Sequence, residues 1–170
     1  PSASLKDRIH HARQTLNEMF PSQKRPGQTY QGYIKALHRL PETALKQVTA
    51  RLRRAHRAVA GSAWQVDGWV PFAADGSRVE VPRTEANEEA FKCAGRPKTG
   101  PQLSVTTLYH MGSGLPWSWR IGPGVESERK LLRDQLNTLP KKSLVVGDAG
   151  FTGYDLMQDV LKHSLHFLMR

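Results

Sequence analysis

From Trp64 onward the chain stops spacing its apolar residues as a helix does and breaks into short apolar runs cut by Gly and Pro. Runs of that length bounded by turn residues are strands, so this half must build a sheet. "WVPFAAD" (69–75) reads as a strand, with Pro71 favouring an irregular start. "SRVEVPRT" alternates Val79 and Val81 with polar neighbours and reads as a short exposed strand closed by Pro82. "EANEEAFKCAGRPKTGP" is a loop, or a short helix plus loop. "QLSVTTLYHM" and "LPWSWRIG" flank Gly112-Ser113-Gly114 as a hairpin. "ESERKLLRDQLNTL" reads as a helix stopped by Pro140, followed by a strand ending at Asp148, a helix from about Thr152 to Lys162, and a last strand in "SLHFLMR". Strands able to form a meander, then strands alternating with helices, describe an α/β fold with a mixed sheet flanked by helices.

The first 62 residues differ. Leu5, Ile9, Ala12, Leu16 and Met19 recur at helical intervals until Pro21, "PSQKRPGQT" reads as a linker, and a second helix is expected from about Tyr30 to Arg39. After Pro41-Glu42, the residues Leu45, Val48, Leu52, Ala55 and Val59 form an apolar stripe that Gly61 is placed to end. The division expected is therefore a small all-helical region over 1–62 and the sheet domain over 63–170.

Charge separates the same two regions. The net charge is +10, and residues 1–64 carry twelve Lys and Arg against Asp7, Glu18 and Glu42, whereas the remainder is nearly balanced. A polyanion is the natural partner of such a region, because each phosphate neutralised releases condensed counterion. Arg51, Arg53, Arg54 and Arg57 are the candidate DNA contacts, and a solvated helical face is the alternative reading. A hydrophobic content of 38% argues against wholesale disorder. The single cysteine, Cys93, can form no internal disulfide. No apolar run approaches the roughly 20 residues of a membrane span, and no signal-peptide pattern opens the chain, so the expectation is a soluble cytoplasmic protein.

Two apolar runs close on a carboxylate followed by a small turn: Asp75 before Gly76, and Asp148 before Ala149-Gly150. An Asp before Gly commonly forms a turn by accepting from its own backbone. Chemistry is the other reading, since open α/β sheets place ligands at the carboxyl ends of strands. Hard divalent cations take oxygen ligands, and two carboxylates on strands about 4.8 Å apart can reach one ion. Phosphodiester cleavage uses such ions to activate the attacking oxygen and hold the leaving one. The expected sheet is of the ribonuclease H type.

"ADGSRVEVPRT" with Asn87 and Phe91 after it, "GLPWSWRIGPGVESERKLLRDQL", and "LVVGDAGFTGYDL" ending in "FLMR" together resemble the DDE transposases of bacterial insertion sequences, the insertion-sequence-four group in particular. The resemblance runs from about Gly68 to Arg170. It implies a ribonuclease H-like fold, Mg²⁺ or Mn²⁺ as cofactor, and Asp75 and Asp148 as the first and second catalytic acids. It also implies DNA as partner, both transposon ends and target, with water hydrolysing a phosphodiester at the element's end and the freed 3′-hydroxyl attacking target DNA. The basic helices stand where such proteins bind DNA ends. A homodimer of the full-length protein and association with the nucleoid are compatible with it.

The family takes its third acid, a Glu, from a helix well beyond the second Asp, and no such helix follows before Arg170. Glu126 and Glu128 precede Asp148 and stand in a different topological slot. The 170 residues alone are therefore expected to be inactive. Two rival readings are a non-catalytic DNA-binding module derived from a transposase and a stand-alone metal-dependent nuclease. His10, His11, His163 and His166 lack ligand spacing, Cys93 lacks activating neighbours, and Arg83 and Arg129 read as surface charge. Trp117 and Trp119 alternate along a strand and are expected to face one side, packing in preference to stacking on a base.

Overall fold

The computed structural model describes residues 4–22, 29–94 and 100–170. The chain divides into two compact units, Pro1–Lys46 and Gln47–Arg170. The first holds α1 (Leu5–Met19) and α2 (Tyr30–His38). Ser4 opens α1 with a reciprocal capping box, accepting from Asp7 N–H while the Asp7 carboxylate accepts from Ser4 N–H; two orphan donors are satisfied at once. Thr29 caps α2 by accepting from Gly32 N–H at 3.0 Å. Most of the expected linker, residues 23–28, lies outside the described residues, as do 95–99 of the loop after Phe91.

The unit boundary falls inside α3 (Glu42–Ala60), so the residues from Gln47 group with the sheet. Gly61, in the left-handed region at φ +55°, ends α3 where expected and starts a 3-10 turn, Gly61–Trp64. The face that docks is not the apolar stripe. Leu45, Val48 and Val59 are exposed, whereas His56 and Ala60 are buried. Hydrogen bonds and aromatic contacts from His56 and Arg53 select the docked face and override the stripe.

The sheet has five strands in the order β3-β2-β1-β4-β5: β1 (Val70–Glu80), β2 (Gln102–His110), β3 (Leu115–Pro123), β4 (Ser143–Gly147) and β5 (His166–Met169). β1, β2 and β3 form the antiparallel meander; β4 joins β1 in parallel and β5 joins β4 in parallel. This is the mixed ribonuclease H-like sheet expected, flanked by α4 (Glu85–Phe91), α5 (Glu128–Arg133) and α6 (Tyr154–Lys162). The two runs read as separate strands around Asp75-Gly76 are one: β1 pairs β2 without interruption from Phe72↔His110 to Glu80↔Gln102. Nine consecutive pairings outweigh the turn preference of one Asp-Gly step.

One face of the sheet carries the core. Val70, Phe72, Ala74, Leu108 and Val145 pack against Leu132, Leu136, Leu156 and Val160 of the following helical segments. Gln135, fully buried, pins the end of α5: its Nε2 donates to Thr106 O (3.1 Å) and Leu131 O (2.9 Å), and its Oε1 accepts from Ser118 Oγ (2.7 Å). α5 is shorter than its periodicity implied, stopping at Arg133 before a 3-10 turn, Leu136–Thr138.

Candidate active site

The parallel pairing of β1 with β4 sets the register of the two candidate acids. Val70 stands opposite Ser143 and Ala73 opposite Val146. Asp75 and Asp148 come two residues further along each chain, past the last pairing, so the register carries both acids to the same end of two neighbouring strands. Ala73 and Val146 share a face, and the alternation of side chains gives Asp75 the face of Ala73, opposite to Phe72 and Ala74. Both carboxylates are exposed.

Their local settings differ. Asp75 lies inside β1, opposite Thr107 of β2, and makes no side-chain hydrogen bond or ion pair among the described residues. Asp148 follows β4 with extended backbone, and its Oδ1 accepts from Gly150 N–H at 2.9 Å, capping the 3-10 turn Ala149–Phe151. Asp148 thus forms the turn that its sequence context allowed, directly after β4. Among the described residues, no group of three His, Cys, Asp and Glu is arranged to hold a metal ion.

Glu128, at the start of α5, approaches β1 closely. A methyl group on Gly76 would lie 2.8 Å from Glu128 Cγ and closer still to its carboxyl group, so the missing side chain leaves that space to the glutamate. Gly76 presents the side of β1 opposite to Asp75, which keeps Glu128 apart from the Asp75 side chain. Glu126 is taken up by Lys130, whose Nζ donates to it at 2.6 Å and holds its carboxyl below the usual range.

The two tryptophans part company. The β2–β3 register slips between Leu108 and Tyr109, with Leu108 opposite Ser118 and Tyr109 opposite Pro116, which leaves Trp117 as the extra residue of a bulge. Trp117 turns into the core, in ring contact with Phe72 and His56, and its Nε1 donates to Thr138 O at 3.0 Å. Trp119 pairs with Thr107, itself opposite Asp75, and so shares the face of the acids. The expectation of a common face fails because a bulge shifts the alternation by one, which no residue spacing announces.

The four arginines of α3 also separate. Arg51, Arg54 and Arg57 are exposed. Arg53 is half-buried, its Nε donating to Trp117 O at 3.0 Å and its guanidinium 5.2 Å from the Trp117 ring centroid. Arg129, read as surface charge, donates from Nη1 to Thr152 O at 2.9 Å and lines a cleft of about 350 Å³ with Lys130, Arg133 and Tyr154. Lys130 and Arg133 are already paired, with Glu126 and Asp159. No helix among the described residues is long and apolar enough to cross a membrane.

Structures of the Mos1 transposase are similar at low identity. A paired-end complex with the left transposon end matches at 12% identity and a TM-score of 0.41, covering 98% of this chain and 54% of that one. A strand transfer complex matches at 11% and 0.41, covering 94% and 49%. The chain therefore spans about half the length of these structures. No protein of curated function matches it. The model of the transposase DDE domain matches residues 70–170, from the first residue of β1 through β5, which is more than half of the sequence and contains both acids. The chain belongs to the DDE transposase domain family.

Proposed function

We propose that this chain serves DNA transposition as a metal-dependent polynucleotidyl transferase of the insertion-sequence-four group, with Asp75 and Asp148 as its metal-holding acids. The observation that supports the reading is the β1–β4 register, in which each exposed acid follows two residues after the last pairing, Ala73↔Val146. Such a pair suits Mg²⁺ or Mn²⁺, which take hard oxygen ligands and commonly only one or two carboxylates from the protein. A divalent ion there supplies the Lewis acidity that phosphodiester chemistry requires. The chain's own part is to hold the two carboxylates still. Asp75 is fixed by the pairing of β1 with β2, and Asp148 by the Gly150 N–H that occupies one of its oxygens. Arg51, Arg54 and Arg57 present a cationic face suited to DNA phosphates, whether transposon end or target.

Cleavage and strand transfer at insertion-sequence ends are the proposed reaction of the whole protein, a cytoplasmic, nucleoid-associated bacterial enzyme with room for a homodimer. The test is DNA affinity with and without a divalent ion at constant ionic strength. Mg²⁺ should tighten binding by the wild-type chain, and Asp75→Asn or Asp148→Asn should each abolish that gain. Equal tightening in the variants would refute the assignment of the acids. Tight binding that is indifferent to the ion in every form would favour the DNA-binding module.

A further inference from the structure

Two histidines, His56 of α3 and His110 at the end of β2, are fully buried and converge on one serine. His56 Nε2 lies 3.1 Å from Pro116 O and His110 Nε2 lies 3.0 Å from Trp64 O. A carbonyl only accepts, so each Nε2 carries a proton and each Nδ1 is the acceptor of a neutral ring. Ser113 serves both acceptors: its N–H donates to His110 Nδ1 at 3.0 Å, which leaves its hydroxyl to donate to His56 Nδ1 at 2.8 Å. Ser113 Oγ accepts in turn from Leu115 N–H at 3.3 Å. Every polar atom of the cluster is satisfied with both rings neutral.

Protonation of His56 would cost charge burial and not a hydrogen bond: its Nδ1–H would donate to Ser113 Oγ, whose hydroxyl would turn to His110 O at 3.4 Å. The surroundings offer a cation little compensation. From α3 comes Arg53, itself positive; from β2, His110; from the turn, Ser113; from the 3-10 turn, β1 and β3, the rings of Trp64, Phe72 and Trp117. No carboxylate acts on the ring. Burial, joined by His110 and Arg53, holds the His56 imidazolium below its ordinary range, against the Pro116 carbonyl, which favours it.

We propose that the His56–Ser113–His110 cluster is a proton-sensitive latch, which fastens the part of α3 beyond Gln47 to the β2–β3 hairpin at neutral pH and releases it in mild acid when His56 takes up a proton. What it controls is whether the arginine-bearing helix moves with the sheet or apart from it. The sign follows from linkage. Released His56 takes up a proton near its ordinary pKa of about 6.5, and docked His56 resists it, so stability from the latch is full above that pH and falls as pH drops below it. One proton per release makes the opening constant rise as pH falls through about 6.5, toward a limiting tenfold per pH unit, until docked His56 itself titrates.

Amide hydrogen exchange over residues 53–60, expressed as protection factors so that the intrinsic pH dependence is divided out, reads this opening. Between pH 7.5 and 5.5 protection in the wild-type chain should fall by up to about tenfold in total, nearly all of it below about pH 7, while amides of β1 and β4 change little. His56→Gln keeps an acceptor and a donor but has nothing to titrate, and its protection should be flat over the same range. A wild-type profile that is flat, or a His56→Gln profile as steep as wild type, overturns the proposal. If His56→Gln does not fold, the ¹³C-detected titration of the wild-type His56 ring decides: a midpoint at or above about 6.5 overturns the latch, and one clearly below it sustains it.

Discussion

Replacing Gln135 by Met removes the amide that pins α5 to the sheet while keeping nearly the same volume, so packing is preserved and hydrogen bonding alone is tested. Gln135 makes three bonds in a site with no exposure: one accepted from Ser118 and two donated, to Thr106 O and Leu131 O. Each such bond is worth about 1 kcal/mol net, and the stranded Ser118 hydroxyl adds its own desolvation cost. The expected destabilisation is about 3 kcal/mol, read from urea unfolding followed by tryptophan fluorescence. Ser118→Ala alone removes one bond, about 1 kcal/mol. The double variant should then be more stable than the sum of the two, by about 1 kcal/mol, because the alanine removes the stranded hydroxyl. A Gln135→Met variant within about 0.5 kcal/mol of wild type would refute the claim that this network holds α5 in place.

Gly112→Ala would put a methyl 2.7 Å from the Ala63 carbonyl carbon and nearer still to its oxygen, a clash between two stretches of backbone that no rotamer relieves. A cost above about 2 kcal/mol in urea unfolding is expected, and wild-type stability would contradict the close approach of hairpin and 3-10 turn. For DNA, replacing Arg51, Arg54 and Arg57 together by Ala should lower the slope of log affinity against log salt by up to about 2.7, at about 0.9 for each phosphate no longer neutralised. Arg53→Ala should leave that slope nearly unchanged and lower stability instead, because the side chain is committed to Trp117. A mobility-shift series across salt concentrations separates the two, and an equal effect of Arg53→Ala on the slope would put that residue back at the DNA.

Much of the architecture was legible because it rests on local patterning. The alternation in "QLSVTTLYHM", the Gly112–Gly114 hairpin and the "LVVGD" strand all stand where their apolar periods and turn residues put them. What escaped depends on partners distant in sequence. Asp75-Gly76 has the chemistry of a turn, and only the unbroken pairing with β2 holds it in a strand. Trp117 and Trp119 have ideal spacing for one face, and only the slip in the β2–β3 register separates them. The apolar stripe of α3 promised a core face, yet a buried histidine selects another, through bonds to Ser113 and Pro116 about 60 residues away. Asp75 and Asp148 could be singled out as acids closing apolar runs, but that each follows two residues after the pair Ala73↔Val146 comes from the parallel register of β1 with β4, a property of the assembled sheet.

That register is most directly tested by titrating Mn²⁺ into the isotopically labelled chain and following paramagnetic broadening of the backbone amides. One ion held by both acids should broaden residues 74–77 and 147–150 together, at the same Mn²⁺ concentration, and Asp75→Asn should abolish the broadening at both stretches. Broadening confined to one stretch, or broadening near Asp148 that survives Asp75→Asn undiminished, would contradict it.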